Sequence, residues 1–205
     1  MNYTTLASRD VIEKVVTSLK GKNYDVYIIK DRAEALEKIK SLIPKGASVM
    51  NGSSATLEQI GYIDLLKSGM HGWNNLHEGI VKEKDPEKQA MLRKQGVLSD
   101  YYLGSVHALI ENGEWIIASN TGSQMPHIVY TSPHLIFVVS TKKIVPTFAD
   151  GMKRLEEHVV PLENESSKKK YGSGTSLNKI VIFKNENPRS GRKIHMILVE
   201  EDLGF

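Results

Sequence analysis

Residues 24–50, YDVYIIKDRAEALEKIKSLIPKGASVM, decide the fold class. Tyr24 to Lys30 alternates and runs apolar, as a strand does. Asp31 with Glu34 three residues on forms a capping-box pattern. Leu36, Ile39 and Ile43 then return at helical spacing, and Pro44 with Gly46 ends the helix. Ala47 to Met50 is a second short strand. Strand, helix and strand within about 30 residues is the spacing of a βαβ unit, in which the helix carries the chain back so that the two strands run parallel.

Working outward, Val11, Ile12, Val15, Val16 and Leu19 mark an amphipathic helix closed by Gly21. Asn51-Gly52-Ser53-Ser54-Ala55-Thr56 is a polar loop that opens another helix with Ser54 as its N-cap, and Ile63 to Lys67 continues as a short helix. Gly69 to Lys84 reads as irregular. Asp85-Pro86 starts a helix that stops at Gly96. Tyr101–Glu111 and Glu114–Ser119 flank Asn112-Gly113, a dipeptide favouring positive φ at both turn positions, and so read as a hairpin. Leu135–Ser140 is a continuous apolar run, and Phe148, Met152, Leu155 and Val159 mark a helix face. Glu163–Ser176, with Lys168, Lys169 and Lys170, reads as a polar, mobile connection before two last strands, Lys179–Lys184 and Ile194–Glu200. The fold class is therefore α/β, a mostly parallel sheet flanked by helices with an antiparallel hairpin. Tyr24–Lys30, Ala47–Met50 and Leu135–Ser140 are expected at its centre.

With 205 residues, 40% hydrophobic and 25% charged, the chain can build one sizeable core. A single domain over 1–205 is expected, with 1–45 as a helix-strand-helix portion and 46–205 as the main body. A net charge of +3 is too small to imply nucleic acid. No stretch approaches the roughly 20 apolar residues of a membrane helix, so neither a membrane nor a nucleic-acid partner is expected, and a cytoplasmic location is. The absence of cysteine rules out a thiol nucleophile, a thiolate zinc site and a cysteine-held iron-sulfur cluster in this chain. The seven histidines show neither an i, i+4 ligand pair nor an HExxH pattern, so no metal site is expected.

Two Ser/Gly loops carry the candidate site. Asn51, Gly52, Ser53, Ser54 and Thr56 lie between a strand and a helix, where backbone N–H groups and hydroxyls suit a phosphate or carboxylate. Thr121, Gly122, Ser123 and Gln124 form a second set of small donors around one glycine. Both loops follow strands, and ligands of parallel sheets lie beyond the carboxyl ends of strands. Lys143, beside Lys142, reaches the same rim, and Ser105 and His107 share one face of their strand. Glu58 and His107 are the candidates for acid/base work; Arg154 and Arg192 rank below the loops as carboxylate partners. Glu111-Asn112-Gly113 superficially matches the glutamate nucleophile segment of CoA transferases, but a turn already explains it.

The ordered set Gly52-Ser53-Ser54-x-Thr56-Leu57, Leu103-Gly104-Ser105-x-x-Ala108-Leu109-x-x-x-Gly113, Ser119-x-Thr121-Gly122-Ser123-Gln124, Lys143-Ile144-Val145-Pro146 and Glu200-x-x-Leu203-Gly204-Phe205 resembles the LUD (lactate utilisation) domain family, DUF162, over nearly the whole chain. The resemblance implies an α/β fold of the NagB/RpiA/CoA-transferase-like type and a link to L-lactate oxidation through a multi-protein system. It departs from members fused to ferredoxin-like modules, whose cysteine clusters this chain lacks. No cofactor is evident; a phosphorylated or carboxylate small molecule is the ligand class the loops suit. The first reading is a domain binding a small anionic molecule. The second is a non-catalytic subunit that scaffolds iron-sulfur and oxidoreductase partners through an exposed Trp73 or through Leu203-Gly204-Phe205. The third, by fold analogy, is an acyl-CoA or sugar-phosphate enzyme. A homo-oligomer is compatible with all three.

Overall fold

The computed structural model describes residues 2–205. Helix α1 (Arg9–Lys20) leads into β1 (Asp25–Ile29), α2 (Arg32–Leu42) and β2 (Ser48–Asn51). The Asp31 carboxylate accepts from the N–H groups of Ala33 and Glu34, both at 3.0 Å, satisfying two of the amides a helix start leaves unbonded. Glu34 reaches back to the Lys30 N–H at 3.2 Å, so the expected box closes on the residue before the cap. After β2 come α3 (Ala55–Gln59), capped by Ser54 as read, α4 (Tyr62–Ser68), β3 (Asn74–Asn75), α5 (Leu76–Lys82), α6 (Pro86–Gln95) and β4 (Tyr101–Gly104). Then follow β5 (Ala108–Ile110), β6 (Trp115–Ser119), β7 (His134–Ser140), β8 (Ile144–Val145), α7 (Phe148–Arg154), α8 (Val160–Tyr171), β9 (Lys179–Phe183) and β10 (Lys193–Val199).

Two sheets form. The larger has the order β1-β10-β7-β4-β2-β3, parallel at every pairing; the smaller, β8-β5-β6-β9, joins β8 to β5 in parallel and the rest antiparallel. Alternation along β7 shows why its sequence is continuously apolar. Leu135, Phe137 and Val139 enter one core with α1, while Ile136 and Val138 enter the core beneath α2, α3 and α4. The smaller sheet packs on the α1 side. Trp115 and Ile117 of β6 point into that first core, where Trp115 stacks on Phe183 at 3.8 Å, and Ile116 and Ala118 point the other way, toward Leu155 and Val159. A side chain of indole size buried on both sides of its ring is what fastens the two sheets together.

The α/β class, the mostly parallel sheet and the antiparallel hairpin are as expected, but several elements differ. Tyr101–Glu111 is not one strand: the chain leaves the larger sheet at Gly104 and joins the smaller at Ala108. The β1 strand lies at an edge, because the C-terminal β10 takes the place between it and β7. The hairpin loop has three residues, Ile110 N–H bonding Glu114 O and Gly113 N–H bonding Ile110 O, each at 2.8 Å; of its residues only Gly113 has positive φ. Gly69–Lys84 contains β3 and α5. Most of Glu163–Ser176 is helical: α7 continues through a π-turn at Leu155–Val159 into α8. The π-turn falls just before Pro161, whose missing N–H would otherwise leave a carbonyl of a regular helix unbonded. The Lys168–Lys170 run sits in the last turn of α8, complementing the helix dipole, and Gly172 ends it at φ 73°. Trp73 is buried, not exposed as expected; of Leu203-Gly204-Phe205, Leu203 is buried and the other two are half-buried.

Candidate functional site

A cavity of about 480 Å³ opens beyond the carboxyl ends of β2, β4 and β7, between the two sheets and under α8. The β2–α3 turn supplies Gly52, Ser53, Ser54 and Thr56; the loop after β6 supplies Thr121, Ser123 and Gln124; the crossing between the sheets supplies Ser105 and His107. Both Ser/Gly loops therefore face one space, as their positions after strands imply. Gly52 has a packing reason of its own. A Cβ there would lie 2.7 Å from the Tyr102 hydroxyl and 3.0 Å from Gln124 Oε1, two groups that hydrogen-bond each other at 3.2 Å.

Lys143 is the one lysine or arginine lining the cavity among the described residues. It lies in a 3₁₀ turn, Thr141–Lys143, directly after β7, and is only 4% exposed. Its Nζ donates to Ser105 Oγ at 3.0 Å, Thr56 Oγ1 at 3.1 Å and Val106 O at 3.3 Å, all neutral acceptors. Burial, the Arg154 guanidinium and the Lys142 ammonium hold its pKa well below the ordinary lysine value. Lys142 faces away and pairs with the Asp202 carboxylate and Gly204 O. Two adjacent lysines thus have opposite roles, one neutralised by a carboxylate and one turned without such a partner toward the cavity.

His107 Nδ1 accepts from the Ala118 N–H at 3.1 Å, which fixes it as a bridge between the crossing and β6. Burial, Lys143 and Arg154 lower its pKa to about 3, so it is neutral at physiological pH. Arg154 is fully buried and donates to His107 O, with Nε and Nη2 lacking hydrogen-bond partners among the described residues. Arg192 is committed elsewhere, to Glu186 and the carbonyls of His127, Ile128, Val129 and Ser132.

Several of the residues singled out in the sequence lie outside the cavity lining. Asn51 is buried behind it and donates to Gly52 O, and Gly122 shapes the second loop at φ 85°. Glu58 pairs instead with Lys170 of α8, at 2.7 and 2.8 Å. Glu111 is bound by Lys14 at 2.6 Å. The carboxyl group that does line the cavity is Glu163 on α8, raised above the usual carboxylate range by burial; Ser167, Tyr171 and Ser173–Leu177 follow it. Reading 163–176 as a mobile connection missed them, although Gly172 as a helix stop was a usable signal.

A parallel α/β sheet with a ligand-sized cavity beyond its strand ends, roofed by a second sheet and its helices, defines an α/β domain. The chain belongs to the LUD domain family, whose pattern matches residues 12–200. Its structure is similar to the crystal structure of a DUF162 family protein from Deinococcus radiodurans, at a TM-score of 0.56 and 12% identity, over 95% of this chain and 99% of that one. At that identity the likeness shows the fold. No curated protein matches the chain. No helix among the described residues is long and apolar enough to cross a membrane.

Proposed function

We propose that the cavity binds a small anionic metabolite or a phosphorylated cofactor, and that through it the chain supports L-lactate oxidation. Membership of the LUD domain family supports a role related to lactate utilisation. The observation that carries the binding reading is Lys143, a buried amine in a cavity wall with only neutral partners. A buried lysine is costly without an opposing charge, and a bound carboxylate or phosphate would supply one. The hydroxyls of Ser53, Thr121 and Ser123 line the same space and would complete the anion's hydrogen bonds. Electron transfer would fall to iron-sulfur and oxidoreductase partners, since this chain has no cysteine to hold a cluster.

The test compares the parent with Lys143→Gln by native mass spectrometry of protein from its own host and by calorimetric titration with phosphate, L-lactate, pyruvate, nucleotides and coenzyme A. A charge-assisted hydrogen bond is worth about 1.5–3 kcal/mol, so the variant should bind roughly tenfold to a hundredfold more weakly. A parent that retains no small molecule and binds none of these compounds, or a variant that binds as well as the parent, overturns the reading.

A further inference from the structure

We propose that Lys143 is a nucleophile that condenses reversibly with an aldehyde or ketone carrying a carboxylate or phosphate, forming an imine in the cavity. This rests on the anion-binding reading and adds the chemical class of the ligand and the bond it makes.

The geometry separates Lys143 from every other lysine of the chain. Its amine is buried, it borders a ligand-sized cavity, and its partners Ser105 Oγ, Thr56 Oγ1 and Val106 O are neutral. A neutral amine can give its two protons to Val106 O and one hydroxyl while the other hydroxyl donates to its lone pair. That hydroxyl is the one an incoming carbonyl carbon displaces. Gly204 leaves the amine room: a Cβ there would come within 2.9 Å of Nζ and 2.2 Å of Thr56 Oγ1. The surroundings favour the unprotonated form that attack requires: Lys142 from the same turn and Arg154 from α7 are cations, and His107 is neutral. Glu163, the one acidic side chain lining the cavity among the described residues, keeps its proton to higher pH than a free glutamate, as an acid catalyst should.

The reaction balances without an oxidant or reductant. The Nζ lone pair forms the C–N bond as the carbonyl π pair moves to oxygen, which takes up one of the two amine protons, giving a neutral carbinolamine. Its hydroxyl then leaves as water with a proton from Glu163, leaving a protonated imine and the Glu163 carboxylate. Water reverses the sequence. The ligand's own carboxylate or phosphate would lie against Ser53, Thr121 and Ser123, within reach of the charge on the protonated imine.

The experiment incubates the intact chain near neutral pH with pyruvate, and separately with pyridoxal phosphate as an aldehyde whose imine absorbs visibly. Borohydride then reduces any imine, and peptide mapping locates it. Labelling should reach Lys143 at least about tenfold faster than any surface lysine, because each pH unit by which a lysine pKa falls raises its neutral fraction tenfold. Phosphate should slow it, and Lys143→Arg, checked for folding by circular dichroism, should abolish it. If titration shows a compound bound and displaced by phosphate while reduction leaves Lys143 unmodified, the imine is overturned and the anion site stands. If neither compound nor phosphate binds, both readings fall.

Discussion

Lys143→Met should change the pH dependence of stability in a way that no surface lysine can. In the unfolded chain this amine titrates near 10.5, and in the native cavity its pKa is well below that value. Between the two values the unfolded chain holds a proton that the folded chain does not, so unfolding takes up a proton and parent stability rises with pH. The slope for one proton is about 1.4 kcal/mol per pH unit. Below the native pKa both states are protonated and the slope from this group vanishes, leaving the full cost of a buried, unpaired ammonium. Methionine has similar length and no proton to exchange. Its three lost hydrogen bonds to neutral acceptors cost about 0.5–1.5 kcal/mol each, a penalty to the variant that does not depend on pH. The stability difference should therefore move toward the methionine variant by about 1.4 kcal/mol for each pH unit lowered within the window. Urea unfolding of both proteins across a pH series measures it, and a saturating anion should flatten the parent's slope by raising the native pKa. Parallel stability curves for the two proteins from neutral pH to 10.5 would refute the reasoning, because they would mean that the amine pays nothing for its burial.

Three further outcomes are expected. Gly52→Ala should cost about 1–3 kcal/mol by pressing on the Tyr102 hydroxyl, and a thermal-denaturation double-mutant cycle with Tyr102→Phe should recover part of it. His107 and His127, lowered by burial to about 3 and about 4, should show no imidazole titration by NMR between roughly pH 6 and 8. Because the unfolded histidines protonate first, near 6.5, the stability they contribute is present above that pH and is lost as pH falls toward their native values. Arg192→Met should destabilise by about 3–5 kcal/mol in chemical denaturation, since it strands Glu186 and four carbonyl acceptors in a buried site.

The sequence was most legible where a local signal and a buried face coincide. Asp31 and Ser54 cap their helices because a short side-chain oxygen before an apolar period has one good use. Sheet order was not legible, because nothing in Tyr24–Lys30 reveals that a strand more than 160 residues later takes the place beside it. Helix α8 was hidden because only Ser167 of its residues is buried, so it has no apolar stripe to show a period. The candidate site was half legible for the same reason. Its loops follow strands and carry recognisable donors, whereas Glu163 acquires its role only when α8 folds over the cavity.

The crossing at Ser105–His107 explains why two basic side chains, Lys143 and Arg154, are buried beside the cavity. Gly104 ends a strand of one sheet and Ala108 begins a strand of the other, so the carbonyls between them have fewer ladder partners and need donors. Arg154 bonds His107 O and Lys143 bonds Val106 O. A structural donor explains both contacts, but it explains Arg154 better than Lys143. A neutral side chain could satisfy Val106 O without dehydrating an amine, and Lys143 lines the cavity, which Arg154 does not. The two accounts differ in what Lys143→Gln does, because glutamine keeps an N–H donor and loses the charge. If Lys143 only satisfies a carbonyl, the variant should lose the alkaline stability slope yet bind anions as well as the parent. If it is kept for the ligand, the variant should lose the alkaline stability slope and the bound anion together, measured on the same folded sample.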